Sequence, residues 1–280
     1  MVVAAAGSLN LPSVARRQNA EMRLSLLAPA AALRYQHAPR QSVSPIRASS
    51  NAPRALDDAI IVEPAAEHIA SVVFLHGLGD TGDGWASLMP ELDRLLPPAC
   101  TGRVRWVLPH APQRPIALNQ GMHMPGWFDV VQLAPDAQED TVGLEAAAAR
   151  VASCVEREVE AGTPRNKVIV GGFSQGGAVA LHVALRSPEP LAGCISLCSW
   201  LPLRESYPAA LGGGAAQIPF LIAHGDADMV VPYSWSQLGH QKLRDCGLNV
   251  RMIRAIGVGH GVDASVLREV GRFLGGQLGG

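Results

Sequence analysis

Short apolar runs alternate with longer amphipathic segments along most of the chain. The runs Ser71–Leu75 (SVVFL) and Pro219–Ala223 (PFLIA) are almost continuously apolar, as expected of strands that are buried on both faces. The segment Val142–Ala161 instead repeats its apolar residues at helical spacing, with charged residues on the opposite face. Such an alternation predicts one α/β domain with a mostly parallel sheet and helices on both faces. The other predicted strands are Val104–Leu108, Lys167–Val170, Cys194–Leu197 and Val250–Ala255, and the other predicted helices are Trp85–Leu96, Gln175–Arg186, Ser234–Cys246 and Ala264–Leu274.

Composition excludes several classes of protein. The chain has 280 residues, of which 48% are hydrophobic and 17% charged, so it has enough apolar material for a folded core. No run approaches the ~18 uninterrupted apolar residues that a membrane-spanning helix needs. A net charge of −1 argues against nucleic acid as a partner. The five cysteines are widely spaced and odd in number, which indicates free thiols in a reducing compartment.

The first 54 residues differ in composition from the rest. They contain seven arginines and a single acidic residue, Glu21, whereas the other 226 residues contain 16 basic and 23 acidic side chains. This composition is typical of an organelle transit peptide, so we predict residues 1–54 to be a transit peptide or disordered extension. The expected location is then a plastid or mitochondrion. One alternative is that coding bias explains this composition and that the protein is cytoplasmic. The other is a secretory signal with Leu24–Leu33 as its apolar stretch.

The segment Gly172–Gly176 (GFSQG) lies between a predicted buried strand and a predicted helix. A serine nucleophile is exposed on a sharp strand–turn–helix, and this turn requires small residues two positions before and two positions after the serine. The pattern in this context predicts Ser174 as a nucleophile. The alternative is that Ser174 only caps a glycine-rich helix.

A serine nucleophile needs a base and a group that orients the base, and in strand–turn–helix hydrolases both follow the serine in the chain. The segment His224–Asp228 (HGDAD) follows one predicted strand, and His260 lies in a glycine-rich loop after the next. His260 is the predicted base, because His240 falls inside a predicted helix. The spacing does not distinguish Asp226 from Asp228 as the orienting acid.

An acyl-transfer site also needs N–H donors for an oxyanion, usually the amide after the nucleophile and one from the loop after an early strand. Gln175 supplies the first by its position, and the segment His76–Asp80 (HGLGD) offers the second. His76 is predicted to be a hydrogen-bonded loop residue, because no second metal-type residue stands at metal-ligand spacing. We predict that the reaction needs neither a metal nor another cofactor.

Five segments resemble, in order, motifs of the acyl-protein thioesterase/lysophospholipase branch of the α/β-hydrolases. The resemblance runs from about Ser71 to the C-terminus and implies an α/β-hydrolase domain over residues 55–280. The segments are FLHGLGDTGDGW (Phe74–Trp85), PHAPQRPIALNQG (Pro109–Gly121), WFD (Trp127–Asp129), GGFSQGGAVAL (Gly171–Leu181) and HGDADMVVP (His224–Pro232).

The resemblance implies specific roles for five residues. Ser174 would be the nucleophile, His260 the base and Asp228 the orienting acid, with the oxyanion hole at Leu78 and Gln175. It also implies cleavage of acyl thioesters from protein cysteines (depalmitoylation), with activity on related carboxylic esters and lysophospholipids. The expected partners are S-acylated proteins or small acyl esters, with at most transient contact with a membrane surface.

The sequence departs from the family pattern at Gly126, at Met229 and in the segment Gly257–Gly261. These positions bear on the pocket lining more than on the chemistry, so the preferred substrate stays open. A short-chain carboxylesterase or deacetylase is the main alternative function. A non-catalytic ligand receptor on the same fold is a further alternative, although such proteins usually lack part of the triad.

The segment Pro109–Pro135 is long, irregular and apolar, as expected of a flap that covers the serine and holds an aliphatic chain. We predict Met124, Trp127 and Phe128 as substrate-binding residues within it. Ordinary packing of an edge strand is the alternative for each of these side chains.

Overall fold

A computed structural model describes residues 59–134 and 137–279 of the protein. The prediction of a transit peptide concerns residues 1–54, which lie outside the described residues, and it stays a prediction. Among the described residues, no helix combines the length and the hydropathy needed to cross a bilayer.

Strands and helices alternate through the described part of the chain. The strands are β1 (Ile60–Val62), β2 (Ala70–Leu75), β3 (Val104–Leu108), β4 (Gln113–Ile116), β5 (Met122–Pro125), β6 (Val168–Phe173), β7 (Gly193–Leu197), β8 (Phe220–Gly225) and β9 (Val250–Ala255). The α-helices are α1 (Gly82–Ala86), α2 (Met89–Arg94), α3 (Thr141–Glu160), α4 (Gln175–Arg186), α5 (Tyr233–Asp245) and α6 (Ala264–Leu278).

Seven of the strands form one sheet in the order β1-β3-β2-β6-β7-β8-β9. The short edge strand β1 is antiparallel to β3, and the remaining neighbours are parallel. Strands β4 and β5 form a separate antiparallel hairpin. The prediction of a mostly parallel sheet is therefore confirmed.

Helices cover both faces of the sheet, and the central strands are apolar on both sides for this reason. In β2, Val73 and Leu75 pack into the core cluster that also contains side chains of α3, α4 and α5. Val72 and Phe74 point to the opposite face and pack with side chains of α1, α2 and α6. All five cysteines are free thiols, as predicted, and four of them are buried.

The structure corrects the predicted helix Trp85–Leu96. Two short helices, α1 and α2, replace the one predicted helix, and α1 begins at Gly82, before the predicted start. Pro90 lies in the first turn of α2, where its missing N–H costs nothing, whereas it would interrupt the hydrogen bonds of a continuous helix. The hairpin β4–β5 was also not predicted, because the short, proline-containing β4 (QRPI) shows no alternation of apolar and polar residues.

Parallel strands bring four loops to one edge of the sheet. The chain leaves β2, β6, β8 and β9 at the same carboxyl edge, where α/β sheets bind their ligands. The loops after these strands contain His76–Asp80, Ser174, Asp226–Asp228 and His260 respectively.

Candidate active site

Ser174 occupies the sharp turn between β6 and α4. Its backbone has φ 53° and ψ −121°, a conformation that residues other than glycine rarely adopt. Its N–H donates to the carbonyl of Leu197 on the neighbouring strand, at 2.8 Å, which fixes the turn to the sheet. The side chain of Ser174 makes no capping hydrogen bond to α4, so the alternative of a simple helix cap is not what the structure shows.

Two glycines in this turn are required by close backbone contacts. A Cβ atom on Gly172 would lie 2.4 Å from the carbonyl carbon of Gly176. A Cβ atom on Gly176 would lie 2.4 Å from the carbonyl oxygen of Leu75, at the end of β2. The small residues on both sides of the serine therefore have a steric cause.

Three side chains from separate loops meet at the carboxyl edge. His260 Nε2 lies 3.0 Å from Ser174 Oγ, and His260 Nδ1 lies 2.7 Å from Asp228 Oδ2. A carboxylate only accepts hydrogen bonds, so Nδ1 carries the hydrogen and Nε2 is free to accept one from the serine hydroxyl. This is the geometry of a nucleophile, a base and an orienting acid.

Asp228 is held as an anion in a buried position. Burial acts to raise its pKa, but hydrogen bonds from His224 and His260 and from the backbone N–H of Val231 outweigh burial and lower the pKa well below its ordinary value. The other carboxylate oxygen, Oδ1, accepts the N–H groups of Val230 and Val231 at 2.8 and 2.9 Å. The carboxylate is therefore fixed from both sides.

Asp226 and His240, the alternatives that the sequence offered, do not join this group. Asp226 Oδ1 accepts the N–H of Gly257 at 2.7 Å, and its Oδ2 lies 2.9 Å from Nε of Arg254. Asp226 thus stabilises the loop after β9 from outside the cluster, and His240 lies within α5. The structure thus distinguishes Asp226 from Asp228, whereas their spacing in the sequence does not.

The segments that contain the two predicted oxyanion donors adjoin the serine. Gln175 is the first residue of α4, where a backbone N–H has no partner within the helix. The loop that contains Leu78 packs against the nucleophile, because a Cβ atom on Gly77 would lie 3.4 Å from Ser174 Cβ. Gly79 anchors this loop by donating its N–H to the carbonyl of Pro125 at 2.8 Å.

His76 is a hydrogen-bonded loop residue, as the sequence predicts. Its Nδ1–H donates to the carbonyl of Gly77 at 2.7 Å, and its Nε2 accepts the N–H of Ala111 at 3.0 Å. These two partners fix one neutral tautomer. Burial lowers the pKa of His76, which favours the uncharged ring.

The side chain of Gln175 has a second role, which sequence reasoning missed. It is 1% exposed, its Oε1 accepts the N–H of Trp127 at 2.9 Å, and its Nε2 donates to the carbonyl of Phe128 at 2.7 Å. The residue that follows the nucleophile therefore also holds the predicted flap in place. No local pattern reveals this contact, because its partners lie almost 50 positions apart in the chain.

The predicted substrate-binding residues fall into two groups. Met124 and Trp127 are packed inside the structure, and Trp127 Nε1 donates to the carbonyl of His76 at 2.8 Å. Phe128 lines a cavity with a volume of about 420 Å³, and Met124 and Trp127 do not contribute to the wall of this cavity. Gly126, one of the departures from the family pattern, permits close packing, because a Cβ there would lie 2.9 Å from Ile116 Cδ1.

The triad and the predicted oxyanion donors do not line this cavity, which is connected to them through neighbouring residues. Trp200 forms part of the cavity wall, and its ring centroid lies 6.1 Å from that of Phe128. The preceding residue, Ser199, donates its hydroxyl to the carbonyl of Ser174 at 2.6 Å. The sequence did not single out Trp200. The wall combines apolar side chains with charged and polar ones, among them Phe128, Val130, Leu201, Leu203, Glu139 and Arg204.

Cys198 lies close to the three-residue cluster. Its Sγ, a carboxylate oxygen of Asp228 and a ring nitrogen of His260 lie within 4.8 Å of one another. Burial raises the pKa of the thiol to about 11, and the thiol donates to the carbonyl of Gly261 at 3.2 Å. The thiol is therefore protonated at neutral pH and is not an activated nucleophile.

A serine on a strand–turn–helix, with an acid after β8 and a histidine after β9 of a mostly parallel sheet, defines an α/β-hydrolase with a serine-type site. Residues 56–277 match the Phospholipase/Carboxylesterase family, and the chain belongs to this family. It is therefore a hydrolase of ester or thioester bonds, as the sequence predicts.

Relatives and solved structures agree with this assignment. The chain is 38% identical over 226 residues to acyl-protein thioesterase 1 of Gibberella zeae, covering 78% of this chain and 95% of that protein. It is 36% identical over 222 residues to acyl-protein thioesterase 1 of Neurospora crassa, covering 77% and 89%. Among solved structures, acyl-protein thioesterase 2 of Zea mays is similar with a TM-score of 0.70 and 33% identity, covering 79% of this chain and 98% of that one. Arabidopsis thaliana SOBER1 also gives a TM-score of 0.70, with 26% identity and coverages of 75% and 99%.

Proposed function

We propose that this protein is an acyl-protein thioesterase that removes acyl groups from cysteine side chains of proteins. The observation that carries the proposal is the hydrogen-bonded series Ser174–His260–Asp228 at the carboxyl edge of the sheet. The kinship with acyl-protein thioesterases from two fungi supports the choice of thioester substrates.

In the first half of the reaction, the acyl group moves to the serine. His260 Nε2 takes the proton of Ser174 as Oγ attacks the acyl carbon, and Asp228 stabilises the imidazolium that forms. The backbone N–H groups of Leu78 and Gln175 donate to the oxyanion, and one such donor is worth about 3–4 kcal/mol in the transition state. The imidazolium then gives its proton to the departing cysteine sulfur.

In the second half, water releases the acyl group. His260 Nε2 takes a proton from water as the water oxygen attacks the acyl carbon of the serine ester. The tetrahedral intermediate uses the same two N–H donors, and its collapse returns the proton to Ser174 Oγ. The products are a free carboxylic acid and the restored enzyme.

The cavity beside Phe128 and Trp200 is the proposed acyl site. The apolar side chains of this cavity suit an aliphatic chain, and its wall also contains the charged residues Glu139 and Arg204. Burial of one methylene is worth about 0.8 kcal/mol, which corresponds to a factor of about four in kcat/KM.

The experiment that tests this proposal measures hydrolysis of acyl thioesters and matched oxyesters from C2 to C16. We expect kcat/KM to rise with chain length up to a plateau, with thioesters hydrolysed at least as well as oxyesters, and no activity in Ser174→Ala. Activity confined to C2–C4 oxyesters would favour a short-chain carboxylesterase instead. A protein without hydrolysis that still binds acyl compounds would be a receptor.

Residues 1–54 are proposed to direct the protein to a plastid or mitochondrion. Their arginine content and near absence of acids support this location. A fusion of residues 1–54 to a fluorescent reporter should collect in one of these organelles, and uniform cytoplasmic fluorescence would contradict the proposal.

A further inference from the structure

A second histidine contacts the carboxylate of Asp228. His224, near the end of β8, is fully buried, and its Nε2 lies 3.1 Å from Asp228 Oδ2 and 2.8 Å from the carbonyl oxygen of Val231. Both neighbours are acceptors, so Nε2 carries a hydrogen. Asp228 Oδ2 therefore faces two imidazoles, that of His260 at 2.7 Å and that of His224 on another side.

The other nitrogen of His224 connects to the nucleophile through two serines. His224 Nδ1 lies 2.5 Å from Ser236 Oγ, and the Ser236 hydroxyl donates to the carbonyl of Ser199 at 2.6 Å. Because the hydroxyl has only one hydrogen, Nδ1 is the donor in its contact with Ser236 Oγ. The Ser199 hydroxyl in turn donates to the carbonyl of Ser174, also at 2.6 Å. His224, Ser236 and Ser199 are all buried, and we call them the rear chain.

The rear chain connects Asp228, residue by residue, to the backbone carbonyl of Ser174, whereas His260 connects Asp228 to the Ser174 hydroxyl. Ser174 and Asp228 are thus linked twice, once through His260 and once through the rear chain. Hydrogen bonds in a buried setting are electrostatically stronger than in water, and a fully connected network specifies one arrangement of its members. The other polar groups close to the triad are engaged elsewhere, Cys198 with Gly261 and Asp226 with Arg254.

We propose that His224 is a positioning residue of the triad, which holds Oδ2 of Asp228 in line with Nδ1 of His260. The inference rests on the proposed function, because it assumes that the triad carries the reaction. The backbone N–H groups of Val230 and Val231 fix the Oδ1 atom only. The Oδ2 atom must stay in place while His260 gains and loses its proton. His224 supplies the buried contact that prevents rotation of the Asp228 carboxylate.

The first test compares His224→Gln with His182→Gln, using the full-length protein. His182 is an equally buried histidine on α4 that contacts Arg186 and lies outside the triad and the rear chain. A hydrogen bond to a charged group is worth about 1.5–3 kcal/mol, so we expect kcat to fall about 10- to 100-fold in His224→Gln with little change in KM. His182→Gln should lower Tm and leave kcat unchanged. Equal kcat in His224→Gln and the wild type would overturn the proposal.

The second test observes the proton between His260 and Asp228 directly. In the wild-type protein, proton NMR should show a strongly downfield signal for His260 Nδ1–H, since this hydrogen lies in a short, charge-assisted contact. We expect the signal to move or disappear in His224→Gln and to persist in His182→Gln. An unchanged signal in folded His224→Gln would contradict the positioning role.

A third variant covers the case in which His224→Gln does not fold. Ser236→Ala keeps the imidazole and removes the partner of Nδ1, for which we expect a loss of about 3- to 10-fold in kcat. Wild-type kcat together with an unchanged downfield signal would overturn the proposal. The NMR signal needs no substrate, so it tests His224 even if Ser174→Ala retains hydrolysis and the proposed function fails.

Discussion

The turn around Ser174 and the predicted flap, described over residues 109–134, lie side by side, but the sequence constrains them very differently. In the turn, Gly172 and Gly176 are fixed by backbone atoms only 2.4 Å from where a Cβ would stand. In the segment, by contrast, the cavity wall consists of side chains, and several apolar residues of similar size would serve equally well. The catalytic turn therefore tolerates few residue types at its key positions, whereas the residues of the cavity wall can be exchanged for others of similar size.

The largest effect on folding stability is expected where the steric constraint is tightest. Gly176→Ala places a methyl group 2.4 Å from the carbonyl of Leu75, which should cost about 3 kcal/mol and displace the nucleophile. Urea unfolding and kcat should both show the loss. Gly276→Ala is the matched control, because the exposed helical Gly276 has no neighbour within 4 Å of the added Cβ. We expect Gly276→Ala to raise the free energy of unfolding by about 0.5–1 kcal/mol. If both variants changed the free energy of unfolding equally, the steric argument would be wrong.

The largest effect on kcat without a change in the fold is expected for the two acids of the HGDAD segment. Asp228→Asn should lower kcat by about 10⁴-fold, because the base then loses its proper tautomer and its counter-charge. Asp226→Asn should change kcat less than about two-fold, since Asp226 binds only Arg254 and the loop. A similar loss in both variants would mean that the whole loop, and not one carboxylate, orients His260.

The same carboxylate predicts how stability depends on pH. The pKa of Asp228 is lowered in the folded state, so its stabilising contribution is present above the unfolded pKa of about 3.9 and disappears as pH falls toward the folded value. The difference in free energy of unfolding between the wild type and Asp228→Asn should thus be largest near pH 7 and smaller near pH 3. Urea titrations at both pH values measure it, and a difference that grows in acid would have the wrong sign.

A smaller effect is expected where the two regions meet. Gln175→Ala keeps the backbone N–H of the oxyanion hole but removes two hydrogen bonds to Trp127 and Phe128, worth about 2 kcal/mol together. We expect kcat/KM to fall about 10-fold for long acyl chains and less for acetyl esters. A uniform loss for all chain lengths would indicate that the side chain supports the oxyanion hole and not the flap.

The smallest effect on catalysis is expected within the cavity wall. Phe128→Ala should reduce the ratio of kcat/KM for C16 and C2 substrates several-fold and leave the acetyl rate almost unchanged. Met124→Ala is the comparison, since this buried side chain does not line the cavity. If Met124→Ala changed the chain-length profile more than Phe128→Ala, the cavity would not be the acyl site.

This contrast also explains how much could be predicted from the sequence. The parallel sheet follows from apolar strands such as Ser71–Leu75, and Ser174 and His260 follow from residue types at the ends of predicted strands. The spacing did not distinguish Asp226 from Asp228, because only tertiary hydrogen bonds separate their roles. The contacts of the Gln175 side chain were not predictable, since they join positions far apart in the chain.

The most direct test identifies the atom that receives the acyl group. The protein is treated with a fluorophosphonate or a slowly hydrolysed palmitoyl thioester, digested, and analysed by mass spectrometry. We predict one modified peptide with the label on Ser174, absent in Ser174→Ala and strongly reduced in His260→Ala. A label on Cys198, or continued labelling at the same rate in Ser174→Ala, would contradict the assignment of Ser174 as the nucleophile.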